Sequence, residues 1–202
     1  VDVAQKYRIP QDYFGALISG VEMDLTTTRY ANFKELKHYC YGVSTTVGLI
    51  CAEILGYKDP IAREYAVDLS LAMQLTNILR DLKEDTARDR IYIPQDELSH
   101  FGYSEVDLRS ETINQQYLAL MEFQTKRIRE YYRRASKILP LVPIRSRTCV
   151  AILHGFYSKL LDRIETRKFD VFKSTIRLST REKLFLTWKL WITSLIPQIR
   201  HT

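Results

Sequence analysis

Glycine, proline and cysteine are all scarce in this 202-residue sequence. It has seven glycines and six prolines, and such a low content suits a helical fold better than a turn-rich one. The three cysteines, Cys40, Cys51 and Cys149, are odd in number and lie within apolar patterns. Their spacing is typical of neither a zinc site nor a disulfide framework. We therefore expect reduced thiols, buried as small apolar side chains, in a cytoplasmic protein.

Long apolar runs are also absent. No stretch reaches the ~18 apolar residues of a membrane-spanning helix, and the polar opening VDVAQKYRIPQD lacks the apolar segment of a signal peptide. The nearest candidate is residues 184–197, LFLTWKLWITSLIP, which Lys189 interrupts. Its two tryptophans suit either a membrane interface or a terminal helix packed on the body. A peripheral membrane contact therefore stays open, whereas a spanning segment is not expected.

The net charge of +6 is unevenly distributed. Residues 1–123 carry 12 Lys/Arg and 19 Asp/Glu, a balance of −7, while residues 124–202 carry 18 and 5, a balance of +13. Such asymmetry is typical of proteins that bind nucleic acid or an anionic membrane. It also suits a basic half that faces an acidic, metal-loaded half across a diphosphate. We expect no nucleic acid partner, because the chain has no nucleic-acid-binding motif.

One stretch, residues 74–94 (QLTNILRDLKEDTARDRIYIP), places polar side chains where a core helix should be apolar. At the ~100° per residue of an α-helix, Gln74, Asn77, Asp81 and Asp85 fall within a narrow arc of one face. The preceding run, LSLAMQLTNIL, has the pattern of a buried helix, in which Gln and Asn cost free energy unless they have partners. The polar line therefore indicates a ligand, with a solvated face of Asp–Arg pairs as the alternative.

The chemistry of this face suits a divalent cation. Asp81 and Asp85 would lie within ~6 Å of each other on a helix, where like charges repel. Mg²⁺ prefers oxygen ligands and commonly binds one or two carboxylates together with substrate phosphates. The Asn77 amide oxygen is a suitable further ligand one turn earlier. Four basic residues nearby offer positive charge to phosphates: Arg80, Lys83, Arg88 and Arg90.

Two long motifs carry a resemblance to a known family. The run NILRDLKEDTARDRIYIPQDEL closely resembles the second aspartate-rich signature of the squalene/phytoene synthase family. Residues 20–49, GVEMDLTTTRYANFKELKHYCYGVSTTVGL, also resemble the family, in the same order and at a similar separation. The likeness continues weakly to about Lys183. The resemblance implies an all-α, isoprenoid-synthase-type helical bundle, with residues 1–202 as a single domain covering the C-terminal two-thirds of that fold.

The resemblance also implies roles for individual residues. Asp81, Asp85 and Asn77 would hold Mg²⁺, with Mn²⁺ as the alternative ion, and Asp24 would help to bind the metal or a diphosphate. Further residues implied to contact the substrate head group are Gln74, Arg80, Arg88 and Arg90. Structural alternatives stay open, because Asp24 would also serve as a helix-end acid and Arg88 and Arg90 as partners in ion pairs.

A cavity for an isoprenoid tail is implied beside these groups. Tyr39, Val43, Val47 and Gly48 match its lining positions, within a segment crowded with small residues. The sequence predicts a single helix here from residue 33 to residue 55, with Asn32 as its N-cap, Glu35 three residues on, and Gly56 as its C-cap. Small residues equally allow helices to cross closely, and the sequence does not separate the two explanations. Tyr39 and Tyr157 are implied to orient a reacting group or take a proton.

The implied reaction joins two prenyl diphosphates head to head. Metal ions assist the departure of one diphosphate, an allylic carbocation forms in a dry cavity, and a second prenyl diphosphate attacks to give a cyclopropylcarbinyl diphosphate. The blocks GVEMDL, AEILGY and KEDTARDR favour presqualene diphosphate or a squalene-type product from farnesyl diphosphate, with phytoene from geranylgeranyl diphosphate as the alternative. No dinucleotide fingerprint is present, so NADPH is not expected. A non-catalytic helical module that binds a membrane or a partner protein is the rival explanation.

Two features depart from the family pattern. Ser174 stands where an arginine is expected after Phe172, so a phosphate contact from this loop would need Lys173 or Arg177. Family members are longer and carry a first aspartate-rich motif on an N-terminal helix, whereas no DxxxD pattern precedes Asp81 here and the chain begins without methionine. We therefore expect a fragment of a longer enzyme, in preference to a remnant that has lost activity.

Overall fold

The computed structural model describes residues 2–195, and within them the chain is all-α, as expected. The helices are α1 (Asp2–Lys6), α2 (Gln11–Met23), α3 (Phe33–Cys40), α4 (Thr46–Leu55), α5 (Ala62–Arg80), α6 (Leu82–Ala87), α7 (Gln95–His100), α8 (Glu105–Arg109), α9 (Gln115–Ala135), α10 (Ile144–Thr166) and α11 (Thr180–Leu195). A π-helical turn, Tyr41–Thr45, joins α3 to α4, and a 3-10 turn, Ser136–Ile138, follows α9. Among the described residues, extended pairing is limited to an isolated parallel bridge between Arg29 and Ile91.

Helix α5 lies at the centre of the bundle. It buries apolar side chains on several sides, and Leu71, Leu75 and Leu79 are at most 3% exposed. Its neighbours are α9, α4 and α10. Burial of so much apolar surface is the main favourable term in folding, so α5 forms a fixed support for the polar residues near its C-terminal end.

Two predicted helix ends are confirmed. Asn32 caps α3, because its side chain accepts a hydrogen bond of 3.1 Å from the backbone N–H of Glu35, while the Glu35 carboxylate accepts one of 2.8 Å from the backbone N–H of Ala31. Gly56 follows α4 with a φ of +78°, a conformation that glycine adopts without strain. These caps fix where the connecting loops leave α3 and α4.

The small residues of this region serve close helix crossings. A Cβ atom added to Gly20 would lie 2.6 Å from the Gly42 Cα, so α2 and the π-helical turn meet backbone to backbone. A Cβ added to Gly48 would lie 1.8 Å from the Ser70 Oγ and 3.6 Å from the Ala66 carbonyl oxygen, so there α4 packs against a side chain of α5. Tight crossing, one of the two explanations left open by the sequence, therefore applies at Gly42, and at Gly48 as packing against the Ser70 side chain.

The backbone differs from the expected helices in two places. The helix expected to run through the aspartate signature breaks at Asp81, whose φ and ψ of −98° and 12° lie outside the helical region. Its hydrogen bonding continues, since the Asp81 N–H donates to the Asn77 carbonyl oxygen and the Asp85 N–H to that of Asp81. The single helix expected from residue 33 to residue 55 contains the π-helical turn, which carries one residue more per turn than an α-helix.

The surface also differs from expectation at two cysteines. Cys40 is fully buried, as predicted, but Cys51 and Cys149 are exposed, and all three thiols are free. Cys51 and Cys149 adjoin Ala52 and Val150, which line an apolar cavity. Both cysteines are exposed because the side chains of a helix turn beside a cavity are only partly covered.

The last described helix, α11, contains residues 184–195 of the apolar run 184–197. Residues 196 and 197 of that run lie outside the described residues. No helix in the described part of the chain is both long and apolar enough to cross a membrane.

Candidate active site

A hydrogen-bonded polar cluster joins the two motif blocks. The Tyr39 hydroxyl donates to Asp24 Oδ1 at 2.9 Å and lies 3.4 Å from the Tyr92 hydroxyl. Arg90 Nη2 donates to the Asp24 carbonyl oxygen at 3.0 Å, and its Nη1 lies 3.7 Å from Asp24 Oδ1. Residues from α2, α3 and the loop after α6 therefore meet at one place.

Loop pairing brings these groups together. The segment after α2 runs beside the loop after α6, where the Ile91 N–H donates to the Thr28 carbonyl oxygen at 3.0 Å and the Gln95 N–H donates to that of Tyr30 at 2.9 Å. The rings of Tyr30, Tyr39 and Tyr92 pack together with centroids 5.3–5.8 Å apart. Packing of large flat rings fixes the direction in which each hydroxyl points.

Asp85 faces the same cluster. Burial raises the pKa of the Tyr92 hydroxyl, and the carboxylates of Asp24 and Asp85 raise it further. Burial, followed by the neighbouring Asp81 carboxylate, raises the pKa of Asp85 to about 6, although Arg88 and Arg90 oppose the shift. A carboxylate in this setting is stabilised by a cation.

Asp81 has a different setting from Asp85. Arg80 donates two hydrogen bonds to it, from Nε to Oδ1 at 2.7 Å and from Nη2 to Oδ2 at 2.6 Å. This bidentate pair keeps a positive charge beside the aspartates, and both side chains are about one-quarter exposed. The Asp–Arg pairing considered as an alternative for this face is therefore present at Asp81.

The oxygen atoms on this face suit a divalent cation. Asn77 Oδ1 is buried without a hydrogen-bond partner, and a buried acceptor in that state costs free energy unless a donor or a cation reaches it. Gln74, one turn earlier, is half-buried. Two carboxylates and an amide oxygen are ligand types that Mg²⁺ accepts. The described residues contain no group of three or more His, Cys, Asp or Glu side chains placed to share a metal.

An apolar cavity of about 240 Å³ adjoins the polar residues along the same helices. Val43, Val47 and Gly48 lie on its wall, so Gly48 both lines a cavity and meets Ser70 closely. Tyr39 lies one turn before this wall, in the polar cluster. The remaining lining residues are almost all apolar: Ser44, Cys51, Ala52, Leu55, Ala66, Leu69, Ser70, Met73, Ile138, Val142, Val150 and Leu153.

Tyr157 lies in a groove that also includes Arg80. This groove has a volume of about 270 Å³ and includes Arg80, Tyr157, Arg177 and Lys183 in its lining. Lys173 and Ser174 line a neighbouring groove that also reaches Arg80. The structure thus brings Arg177 and Lys173 towards Arg80, and Tyr157 lines the same groove as Arg80.

One set of residues beside the site was not anticipated from the sequence. Arg29, Asp89, Glu105 and Arg109 form an ion-pair network on the outer side of the loop after α6. Arg29 lies within the first motif block, but its partners are 60 and 76 residues away. Charges so distant in sequence give no local pattern. The sequence therefore marks Arg29 only as a member of the first motif block and does not predict its ion pairs.

Comparison with known proteins identifies a family. The squalene/phytoene synthase family model matches residues 1–182. The 15-cis-phytoene synthase of Synechococcus elongatus is 37% identical over 196 residues, covering 91% of this chain and 64% of that protein. Phytoene synthase 2 of Solanum lycopersicum is 35% identical over 202 residues, covering 97% and 65%. The chain thus spans slightly less than two-thirds of the length of these relatives.

Solved structures share the same fold. A dehydrosqualene synthase in complex with ligand has a TM-score of 0.84 and 27% identity, covering 92% of this chain and 66% of that one. The squalene synthase HpnC from Alicyclobacillus acidocaldarius has a TM-score of 0.79 and 22% identity, covering 82% and 63%, which is a likeness of fold alone.

Proposed function

The chain belongs to the squalene/phytoene synthase family, and we propose that the protein condenses two geranylgeranyl diphosphates head to head into phytoene. Its matched curated relatives include phytoene synthases of a cyanobacterium and of a plant, at 35–37% identity. They favour phytoene over the squalene-type product expected from the blocks GVEMDL, AEILGY and KEDTARDR. Those short blocks differ between the branches at a few residues, whereas the relatives match almost the whole chain.

One observation carries this proposal. Tyr39 and Val43 lie one turn apart where α3 runs into the π-helical turn, and Met73 and Asn77 lie one turn apart on α5. Tyr39 and Asn77 are the polar members of these two pairs, and they lie on the side of the aspartates. Val43 and Met73, one turn away, line the apolar cavity. A prenyl diphosphate has the same division, with a charged head and an apolar tail. The arrangement therefore suits a substrate that lies along α4 and α5 with its head near the aspartates.

The protein's own residues would divide the work. Arg80, Arg88 and Arg90 offer guanidinium groups to diphosphate oxygens, which is the geometry that arginine satisfies best. The apolar cavity wall excludes water from a reactive cation. The Tyr39 hydroxyl is held by Asp24 with its proton directed at that carboxylate, so its oxygen is an acceptor, with the Tyr92 hydroxyl 3.4 Å away.

We further propose magnesium as the cofactor, with manganese as the alternative, held by Asp81, Asp85 and Asn77 together with diphosphate oxygens and water. The unpartnered Asn77 oxygen and the raised pKa of Asp85 support this assignment. When bound, the ion would supply positive charge to the departing diphosphate. Gln74 and Asp24 complete the proposed head-group contacts.

An incubation of the full-length gene product and of this 202-residue chain tests the proposal. Each is given Mg²⁺ and isotope-labelled geranylgeranyl or farnesyl diphosphate, and products are identified by mass spectrometry. Phytoene from geranylgeranyl diphosphate is expected from the full-length protein. Presqualene diphosphate or squalene would instead place it in the other branch of the family. Asp85→Asn should abolish the product, whereas the control Asp96→Asn, at an exposed aspartate of α7, should retain it. No product from the folded, unaltered full-length protein would remove the enzymatic proposal.

A peripheral membrane contact is a second proposal, favoured by α11. Leu184, Phe185 and Trp188 are 60–66% exposed on one side of this helix, and exposed apolar faces of this kind mark interaction sites. Arg181 and Lys189 on the same helix favour an anionic lipid surface. Such a membrane contact would also place the enzyme close to apolar substrates and products.

Vesicle sedimentation tests the membrane contact. The chain is mixed with phosphatidylcholine vesicles with and without phosphatidylglycerol. We expect binding to the anionic vesicles, weakened by Phe185→Ser with Trp188→Ser and unchanged by Val106→Ser, which alters an exposed valine on α8. Equal sedimentation of both variants would contradict the contact. Binding without any magnesium-dependent ligand binding would favour the non-catalytic module.

A further inference from the structure

Arg29 ties three segments of the chain together through one side chain. Its Nε and Nη2 donate to the two carboxylate oxygens of Glu105 at 2.8 and 3.0 Å. The same Nη2 donates to Asp89 Oδ1 at 2.7 Å, and Nη1 donates to the Asp89 carbonyl oxygen at 2.5 Å and to that of Thr28 at 2.9 Å. All three guanidinium nitrogens are thus engaged with α8, with the loop after α6 and with the segment after α2.

The residue that Arg29 holds, Asp89, has an unusual backbone. Its φ is +59°, in the left-handed region that residues other than glycine adopt at a cost. The end of α6 supports this conformation, because the Asp89 N–H donates to the Thr86 carbonyl oxygen at 3.1 Å and the Arg90 N–H donates to that of Asp85 at 2.9 Å. Arg109 also forms an ion pair with Asp89. Two arginines therefore contact a strained residue from the outer side of the loop.

The inner side of the same loop carries two residues of the candidate active site. Directly after Asp89, Arg90 donates to the Asp24 carbonyl oxygen, and two residues later the Tyr92 hydroxyl lies 3.4 Å from that of Tyr39. Between them, Ile91 is 1% exposed and its N–H is bonded to Thr28. The loop is therefore anchored at Ile91, while its Arg88–Arg90 part is bonded to the end of α6 and is joined to Arg29 through Asp89.

We propose that Arg29 is a positioning residue, which sets the Arg88–Tyr92 loop so that Arg90 reaches the diphosphate beside Asp24. This inference rests on the proposed function, because it assumes a diphosphate at that position. The flat, fixed fork of a guanidinium joins two carboxylates and two carbonyl oxygens at once, which a lysine ammonium cannot reproduce. The role is therefore specific to arginine and is not met by positive charge alone.

Hydrogen exchange measured on this chain tests the positioning. Arg29→Ala and Arg29→Lys are expected to speed exchange in residues 88–92 while α5 and α9 keep their protection. Arg133→Ala is the matched control, since Arg133 pairs with Glu130 on the exposed face of α9. Unchanged exchange in residues 88–92 would overturn the inference. Faster exchange throughout the chain would do so too, because it would indicate a general structural role.

Binding of inorganic diphosphate in the presence of Mg²⁺ tests the consequence. We expect the affinity to fall about ten-fold in both Arg29 variants, the loss expected for a displaced charge-assisted contact, and to stay unchanged in Arg133→Ala. Equal affinities in all forms would overturn the inference, as would an unaltered chain that binds no diphosphate. In that last case, phytoene formation by the full-length protein would still support the proposed function, so the two failures are distinguishable.

Discussion

Tyr39 donates its hydroxyl proton to Asp24 across a distance of 2.9 Å, and this contact joins α3 to the end of α2. Burial, followed by the hydrogen bond with Tyr92, raises the pKa of Tyr39. The hydroxyl therefore keeps its proton throughout the physiological range. A neutral hydroxyl beside a carboxylate is suited to orienting a group or relaying a proton, and not to acting as a phenolate base.

Replacing Tyr39 with phenylalanine is expected to impair turnover far more than stability. The change removes one hydrogen bond, so the free energy of unfolding should fall by about 1 kcal/mol, whereas loss of a proton-transfer or orienting group lowers turnover by roughly a hundred-fold or more. Turnover is measured in the full-length protein and unfolding in this chain.

Tyr30→Phe is the matched control for that experiment. Tyr30 belongs to the same ring cluster, but its buried hydroxyl has no hydrogen-bond partner. Its removal should leave stability unchanged or slightly higher. Equal losses of turnover in both variants would contradict a specific role for the Tyr39 hydroxyl.

Asp85→Asn should stabilise the metal-free chain in a pH-dependent way. The pKa of Asp85 is raised to about 6, while an aspartate in the unfolded chain titrates near ~3.9. The folded state therefore holds this proton more tightly, and ionisation of Asp85 destabilises the fold. This penalty is absent below pH ~4, grows as the pH rises through about 6, and is complete above it. The variant lacks this ionisation penalty but still buries a polar amide, so we expect a net gain of about 1 kcal/mol near neutral pH, or roughly 2–4 °C in Tm.

Thermal unfolding in EDTA over a pH series measures this gain. It should disappear near pH ~4, where the wild-type carboxyl is protonated in both states. Asp81→Asn should show no net gain, because the relief of Asp85 is offset by loss of the bidentate pair between Arg80 and Asp81. Mg²⁺ should then stabilise the wild-type chain more than Asp85→Asn. An Asp85→Asn variant that is no more stable than wild type at neutral pH would contradict the destabilising ionisation of Asp85.

Local patterns in the sequence were sufficient for the helical class and for several details. The capping of α3 by Asn32 and the end of α4 at Gly56 follow from rules that involve neighbouring residues. The resemblance of the two motif blocks to one family implied that Asp24 and Asp85 lie close together. The structure places both carboxylates near Tyr92, although their catalytic and metal-binding roles stay predictions.

Other features depend on contacts that no local pattern contains. The break at Asp81 and the π-helical turn leave the spacing of apolar residues almost unchanged, so helical periodicity does not reveal them. Tyr157 lines a groove with Arg80 and Arg177, a grouping that helical periodicity does not predict, and its catalytic role stays a prediction. The partners of Arg29 are separated from it by up to 76 residues, and their convergence depends on the packing of the whole bundle.

Gly20→Ala and Gly15→Ala should have opposite effects although both lie on α2. A Cβ at position 20 would meet the Gly42 backbone at 2.6 Å, whereas a Cβ at position 15 meets nothing within 4 Å. Backbone atoms cannot rotate aside, so we expect Gly20→Ala to cost about 1–3 kcal/mol. Gly15→Ala should gain about 0.5–1 kcal/mol from helix propensity. Chemical denaturation measures both values.

The same pair of variants links the crossing to the site. Displacing α2 would move Asp24 away from Tyr39, so Gly20→Ala should also lower turnover in the full-length protein, whereas Gly15→Ala should not. Similar stabilities for the two variants would show that α2 is free to move away from the π-helical turn without cost.

Ala52→Leu should separate binding of the prenyl tail from binding of the head group. Ala52 is 6% exposed and lines the apolar cavity, so added methyl groups would occupy space that the tail is proposed to use. Filling a cavity usually maintains or raises stability, and we expect Tm to be unchanged or higher. The affinity for geranylgeranyl diphosphate should fall about ten-fold, equivalent to excluding roughly two methylene groups from the cavity.

The affinity for inorganic diphosphate should remain unaltered in Ala52→Leu, because the polar cluster lies at the other end of α4 and α5. Ile54→Leu, which changes an exposed residue of the same helix, should affect neither ligand. Calorimetric titration of all three forms with both ligands provides the comparison. An equal loss for both ligands would indicate that the substitution disturbs the whole site. No loss for either would mean that the tail lies elsewhere, since a cavity that can be filled without weakening binding does not hold the tail.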